Sequence, residues 1–134
     1  MKREIVLDKV CIAMNLTSDE VLKKSREPKL VNARIIYSVL CRSFTKSTVI
    51  EIGNLIKRNH SSVSHYFKVF RNYIDTDKYF KEYHDLSRRL VIQHIAKSYA
   101  EEVETDMLQQ IDNQIKKLLE VKKRFSTIEK AENI

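Results

Sequence analysis

Apolar residues recur at helical spacing along most of the chain. Ile5, Val6, Val10 and Ala13 predict a first helix over residues 4–15, with Asn15 as its stop. Thr17-Ser18-Asp19-Glu20 is a capping-box pattern, in which Thr17 and Glu20 satisfy each other's orphan amides, and it starts a short helix ending near Lys24. Pro28 suits the first turn of a helix and disfavours helix just before it. The stretch Lys23–Lys29 therefore reads as a basic loop, followed by a helix over roughly 29–44. Ala33, Ile36, Tyr37, Leu40 and Phe44 give that helix its inward face.

Thr48-Val49-Ile50-Glu51 repeats the capping box, and Val49, Ile52, Leu55 and Ile56 follow at helical spacing. Gly53 costs helix stability, so its expected use is the close approach of another helix. Lys57-Arg58-Asn59 forms a short polar turn, and Asn59 is a good cap for the next helix, whose inward face is Val63, Phe67, Phe70 and Ile74. Helix, short turn, helix is the helix-turn-helix pattern. Asp75-Thr76-Asp77 can cap a further helix. From Lys78 to about Lys130 there is neither Gly nor Pro, and Met107, Ile111, Leu118, Val121, Phe125 and Ile128 make a stripe near heptad spacing, interrupted by Gln114. Leu108 and Ile115 widen it.

One Gly and one Pro in 134 residues leave little material for the tight turns of a sheet protein, so the chain is expected to be all-α. Charge then divides it. Residues 1–94 hold 18 Lys+Arg against 10 Asp+Glu, and residues 95–134 hold 7 against 8. A basic body with a near-neutral tail points to a polyanionic partner for the body. Cys11 and Cys41 lie far apart among apolar neighbours, which favours buried, reduced thiols and a cytoplasmic location over a disulfide. No apolar run approaches the ~20 residues that span a bilayer, and Met1-Lys2-Arg3-Glu4 introduces a poor signal peptide. His60, His65, His84 and His94 form no metal pattern with the cysteines, and His60 and His65 are five apart rather than four. Neither a cofactor nor an enzymatic activity is expected.

The informative segment runs from Glu51 to His65. Short polar side chains crowd the start of its second helix, where free amides and the helix dipole favour a phosphate. Asn59, Ser61 and Ser62 can both donate and accept, as can neutral His60. Such groups at a helix tip can reach base edges in the major groove. Ser64, His65, Lys68 and Arg71 fall along the exposed side, where phosphates would lie. A plain capped helix with solvated polar residues would look similar on these features alone.

Glu51-Ile52-Gly53, followed by Arg58-Asn59-His60-Ser61-Ser62-Val63-Ser64-His65, resembles the signature of the C-terminal DNA-binding domain of the bacterial replication initiator DnaA. That signature reads Glu-Ile-Gly, a few residues, then Gly-Gly-Arg-Asp-His-Thr-Thr-Val-x-His. Upstream, Val21–Arg26 and Ala33-Arg34 resemble the family's basic loop and the arginine of its next helix. The resemblance covers about residues 5–90. It implies an all-helical domain whose signature helix reads the major groove while the basic loop sets an arginine in the adjacent minor groove. Carried over, it implies base contacts for Asn59, His60 and Ser61, a minor-groove role for Arg26, and phosphate contacts for Arg34, Ser62, His65 and Lys68. Thr48 and Arg58 complete the expected DNA-contacting set.

Three departures stand out. Lys57 alone occupies the place of Gly-Gly, so a shorter turn of different shape is expected. Asn59 replaces an aspartate, which can only accept, whereas asparagine can pair bidentately with adenine. No Gly-rich Lys-Ser/Thr phosphate loop occurs, so ATP use is not expected. The sequence thus predicts a DnaA-like body over 1–92 that binds double-stranded DNA in transcription or replication control. A protein-interaction adaptor that keeps the fold is the alternative. Residues 93–134 are expected to form an amphipathic helical extension that either packs back on the body or pairs with a second copy. Its length favours a homodimer, and dimeric binders read two half-sites at once.

Overall fold

The computed structural model describes the backbone of residues 1–132 and the side-chain surroundings of residues 1–129. The last residues of the expected extension lie outside that range. Every regular element among the described residues is a helix. The chain divides into two compact units, Met1–Ile95 and a second that begins at Ala96.

The first unit opens with α1 (Arg3–Met14), which ends at Asn15 in the left-handed conformation, φ 53°. Asparagine tolerates that conformation better than most residues. Helix α2 (Ser18–Leu22) starts at the Thr17/Glu20 capping box, with both reciprocal bonds formed. Helix α3 (Pro28–Phe44) begins on Pro28, whose missing N–H costs nothing in a first turn. It is the central element. Ala33 to Ser38 are buried without a break, so its inward surface is wider than a single apolar stripe. Helix α1, α2, α4 and α5 all pack against it.

Helix α4 (Val49–Leu55) starts at the Thr48/Glu51 capping box. Helix α5 (His60–Thr76) starts at Asn59, whose side chain accepts from the Ser62 amide at 2.9 Å. The buried Tyr37 hydroxyl of α3 donates to the Ile52 carbonyl of α4 at 2.9 Å, which fixes α4 on the core. Arg3 adds a second tie from α1, donating to Ser47 Oγ at 2.9 Å and lying 3.4 Å from Glu51 Oε2. Val63 and Tyr66 are the buried residues of α5, while Phe67, Phe70 and Ile74 are half-buried against the same core. Tyr66 is the addition to the face read from the sequence.

Helix α6 (Lys78–Glu132) begins at Asp77, whose carboxylate accepts from the Phe80 amide at 3.1 Å. Its part within the first unit buries Phe80, Ser87 and Val91. Phe80 packs tilted against Phe70 and edge-on against Tyr73 of α5, with ring centroids 5.8 and 5.6 Å away. Burial of side chains as large as Ile36, Tyr37, Leu40 and Phe80 stabilises by about 1.5–3 kcal/mol each. This shared core is what holds the helix-turn-helix rigid. In the second unit, residues 96–129 are helical with every side chain exposed. No described helix is long and apolar enough to cross a membrane. Cys11 and Cys41 are buried free thiols, and burial pushes the Cys41 thiol up to about 12.

Candidate nucleic-acid interface

Two short irregular segments meet at one place on the first unit: the basic loop between α2 and α3, and the turn between α4 and α5. What joins them is arginine. Arg34 lies in the buried middle of α3, only 2% exposed. Its Nε donates to the Val21 carbonyl at 2.8 Å, Nη1 to the Ser25 carbonyl at 2.8 Å, and Nη2 to the Lys23 carbonyl. A planar guanidinium with fixed donors is suited to gathering several carbonyls of one loop, which an ammonium could not do as well. Burial, and then the nearby charge of Arg58, hold the Arg34 pKa below the ordinary arginine value.

Arg58 reaches the same loop from the other side. Its Nη2 donates to the Lys23 carbonyl at 2.7 Å, while Nη1 donates to the carbonyls of Ile56 and Lys57 at 3.2 and 3.1 Å. The Lys23 carbonyl therefore accepts from both arginines. The resemblance assigns Arg34 a phosphate contact, but here its guanidinium is turned inward and all three nitrogens are engaged with carbonyls. Its place is beneath the loop that carries Arg26, and Arg58 is the link between that loop and the turn.

The turn itself depends on Gly53. A Cβ there would overlap the Arg58 carbonyl oxygen and lie 3.2 Å from Val63 Cγ2. The close approach expected at Gly53 is thus made chiefly by the backbone of the turn rather than by the next helix. The Gly53 carbonyl accepts from the amides of Ile56 and Arg58, at 3.2 and 2.9 Å. Lys57 takes the left-handed conformation, φ 54°. A lysine closes this turn at a conformational cost that glycine would not bear.

The result is an open groove of about 570 Å³. Lys24, Ser25 and Arg26 line it from the loop, Val31 and Arg34 from α3, Lys57 and Arg58 from the turn, and Asn59, Ser62 and Tyr66 from the start of α5. Arg26, Asn59, His60 and Ser61 are exposed, and Ser62 is half-buried. Asn59 Oδ1 is held by the Ser62 amide, which also fixes which end of the side chain is oxygen. One lone pair of that oxygen and both amide hydrogens remain for a ligand. Further along α5, His65 and Lys68 are exposed. Thr48 is exposed at the start of α4, where its oxygen accepts from the Glu51 amide at 3.2 Å. Among the described residues no cluster of three or more His, Cys, Asp or Glu is placed to hold a metal ion.

Residues 3–69 match the bacterial dnaA protein helix-turn-helix family. The chain belongs to this family. It is 32% identical over 99 residues to the chromosomal replication initiator protein DnaA of Flavobacterium psychrophilum, covering 67% of this chain and 20% of the relative. Against the protein of the same name from Borrelia duttonii it is 36% identical over 66 residues, covering 48% and 13%. Against that from Mycoplasma pneumoniae it is 34% identical over 59 residues, covering 44% and 13%. The chain thus spans a fifth or less of the length of these relatives.

The DnaA-like body brings Arg26, Asn59 and Ser62 to one groove, while His60 and Ser61 are exposed between Asn59 and Ser62 without lining it. Lys24, Lys57 and Tyr66 join the groove without having been named as DNA contacts from the sequence. Lys24 and Lys57 carried a signal, since both belong to the basic loop and turn. Tyr66 carried little, because its position reads as the inner side of a helix.

Proposed function

We propose that this DnaA-family domain binds double-stranded DNA with sequence preference, in replication or transcription control. Its similarity to chromosomal replication initiator proteins favours replication. The observation that carries the reading is the groove in which a basic loop and a polar helix tip face outward together. In the proposed complex α5 enters the major groove, with Asn59, His60 and Ser61 at base edges. Its first amides and Ser62 meet a phosphate at the helix N-terminus. Arg26, on a loop held by Arg34 and Arg58, reaches the adjacent minor groove, and Lys24, Lys57, His65 and Lys68 track the backbone.

Asn59 supports a preference distinct from one read by aspartate. With Oδ1 capping the helix, it still offers an acceptor lone pair and two donor hydrogens, the set that adenine's N6 and N7 require. Selection from random duplex DNA tests the reading. The chain is expected to enrich one motif, and Asn59→Asp to change preference at one base pair by about 1–3 kcal/mol. A pool that enriches no motif, or a variant that weakens every sequence equally, contradicts sequence readout through Asn59.

A further inference from the structure

We propose that the second unit pairs antiparallel with a second copy of itself. The helix offers Met107, Ile111, Leu118 and Phe125 on one face, 58%, 49%, 69% and 63% exposed. The occupant and its direction follow from charge. Residues 101–112 hold five acidic and no basic side chains, whereas residues 116–124 hold five basic and one acidic. A parallel in-register pair would set acidic segment against acidic and basic against basic. The antiparallel pair sets each acidic segment against a basic one.

The apolar register agrees with this direction. From Met107 to Ile128 the steps of four and three residues are unbroken if Gln114 counts as a stripe position. Turned about the point between Asp112 and Asn113, which sets residues 101–112 against 113–124, Met107 faces Leu118 of the other copy, Ile111 faces Gln114, and Ala100 faces Phe125.

Sedimentation of the full chain with two cysteine variants tests this. Met107→Cys and Leu118→Cys change exposed positions of the second unit. A dimer is expected, with a disulfide between copies forming when the two variants are mixed and not in either alone. Added salt should loosen the dimer, because opposite charges face each other. Leu118→Asp should raise the dissociation constant about tenfold or more. A chain that stays monomeric overturns the proposal. So do disulfides within each variant alone, or a dimer tightened by salt, because those are the marks of a parallel pair.

Discussion

Arg34→Met asks whether the buried arginine supports the basic loop or serves as a phosphate contact. Methionine fills much of the same space but supplies no donors, so the carbonyls of Val21 and Ser25 lose bonds of 2.8 Å and Lys23 keeps only its bond from Arg58. Hydrogen bonds from a charged donor contribute about 1.5–3 kcal/mol each. Three would exceed the real loss, for two reasons. Removing the guanidinium relieves its desolvation, and water can reach carbonyls in a loop whose Lys23 and Lys24 are exposed. The expected net loss is about 2–3 kcal/mol, equivalent to roughly 8–24 °C in melting temperature for a body of this size. Hydrogen exchange should accelerate at residues 23–27. Arg34→Lys should fall between, since one ammonium cannot reach three carbonyls as a fixed fork does. Circular-dichroism melting gives the first quantity, and duplex affinity across a salt series gives the contrast. A phosphate contact would lower the salt slope by about 0.9 and spare the melt. If Arg34→Met melts with the parent chain and the slope falls by that amount, the supporting role is wrong.

The turn and caps give further expectations. Gly53→Ala places a Cβ against the Arg58 carbonyl; overpacking of about 1–3 kcal/mol outweighs the gain in helix propensity of about 1, so a lower melting temperature and weaker duplex binding are expected. Lys57→Gly relieves the left-handed lysine and should stabilise by about 0.5–1 kcal/mol after the greater freedom of unfolded glycine is counted, while duplex affinity falls with the lost charge. The backbone amides of Thr17 and Thr48 hold the Glu20 and Glu51 carboxylates below their ordinary 4.5. Their contribution to stability is therefore complete above about 4.5 and is lost as pH falls through the lower folded values. Acid titration of Glu51→Gln should show a shallower loss over that window than the parent chain.

Much of this fold was legible because its local signals are strong. Two capping boxes, Pro28, Asn15 and Asn59 each mark a helix end by a specific hydrogen bond or backbone angle, and the helices begin and end within a residue or two of those marks. The all-helical class followed from the scarcity of turn residues. The candidate groove was legible at Arg26 and Asn59, which line it, and the sequence also placed His60 and Ser61 at exposed positions beside Asn59. It was less so where function depends on what lies beneath. Nothing local distinguishes a surface arginine from one that, like Arg34, turns inward to gather the carbonyls of a loop nine to thirteen residues earlier. The same holds for Tyr66, whose place in the groove depends on the loop packed beside it.

The most direct test of the central claim is an NMR titration of the isotope-labelled full chain with a duplex recovered by selection, followed at the backbone amides. Shifts are expected to concentrate at residues 24–26 and 57–62, extend along α5 to His65 and Lys68, and leave α1 unmoved. Shifts confined to residues 96–132, or none at duplex concentrations that saturate binding, would contradict it.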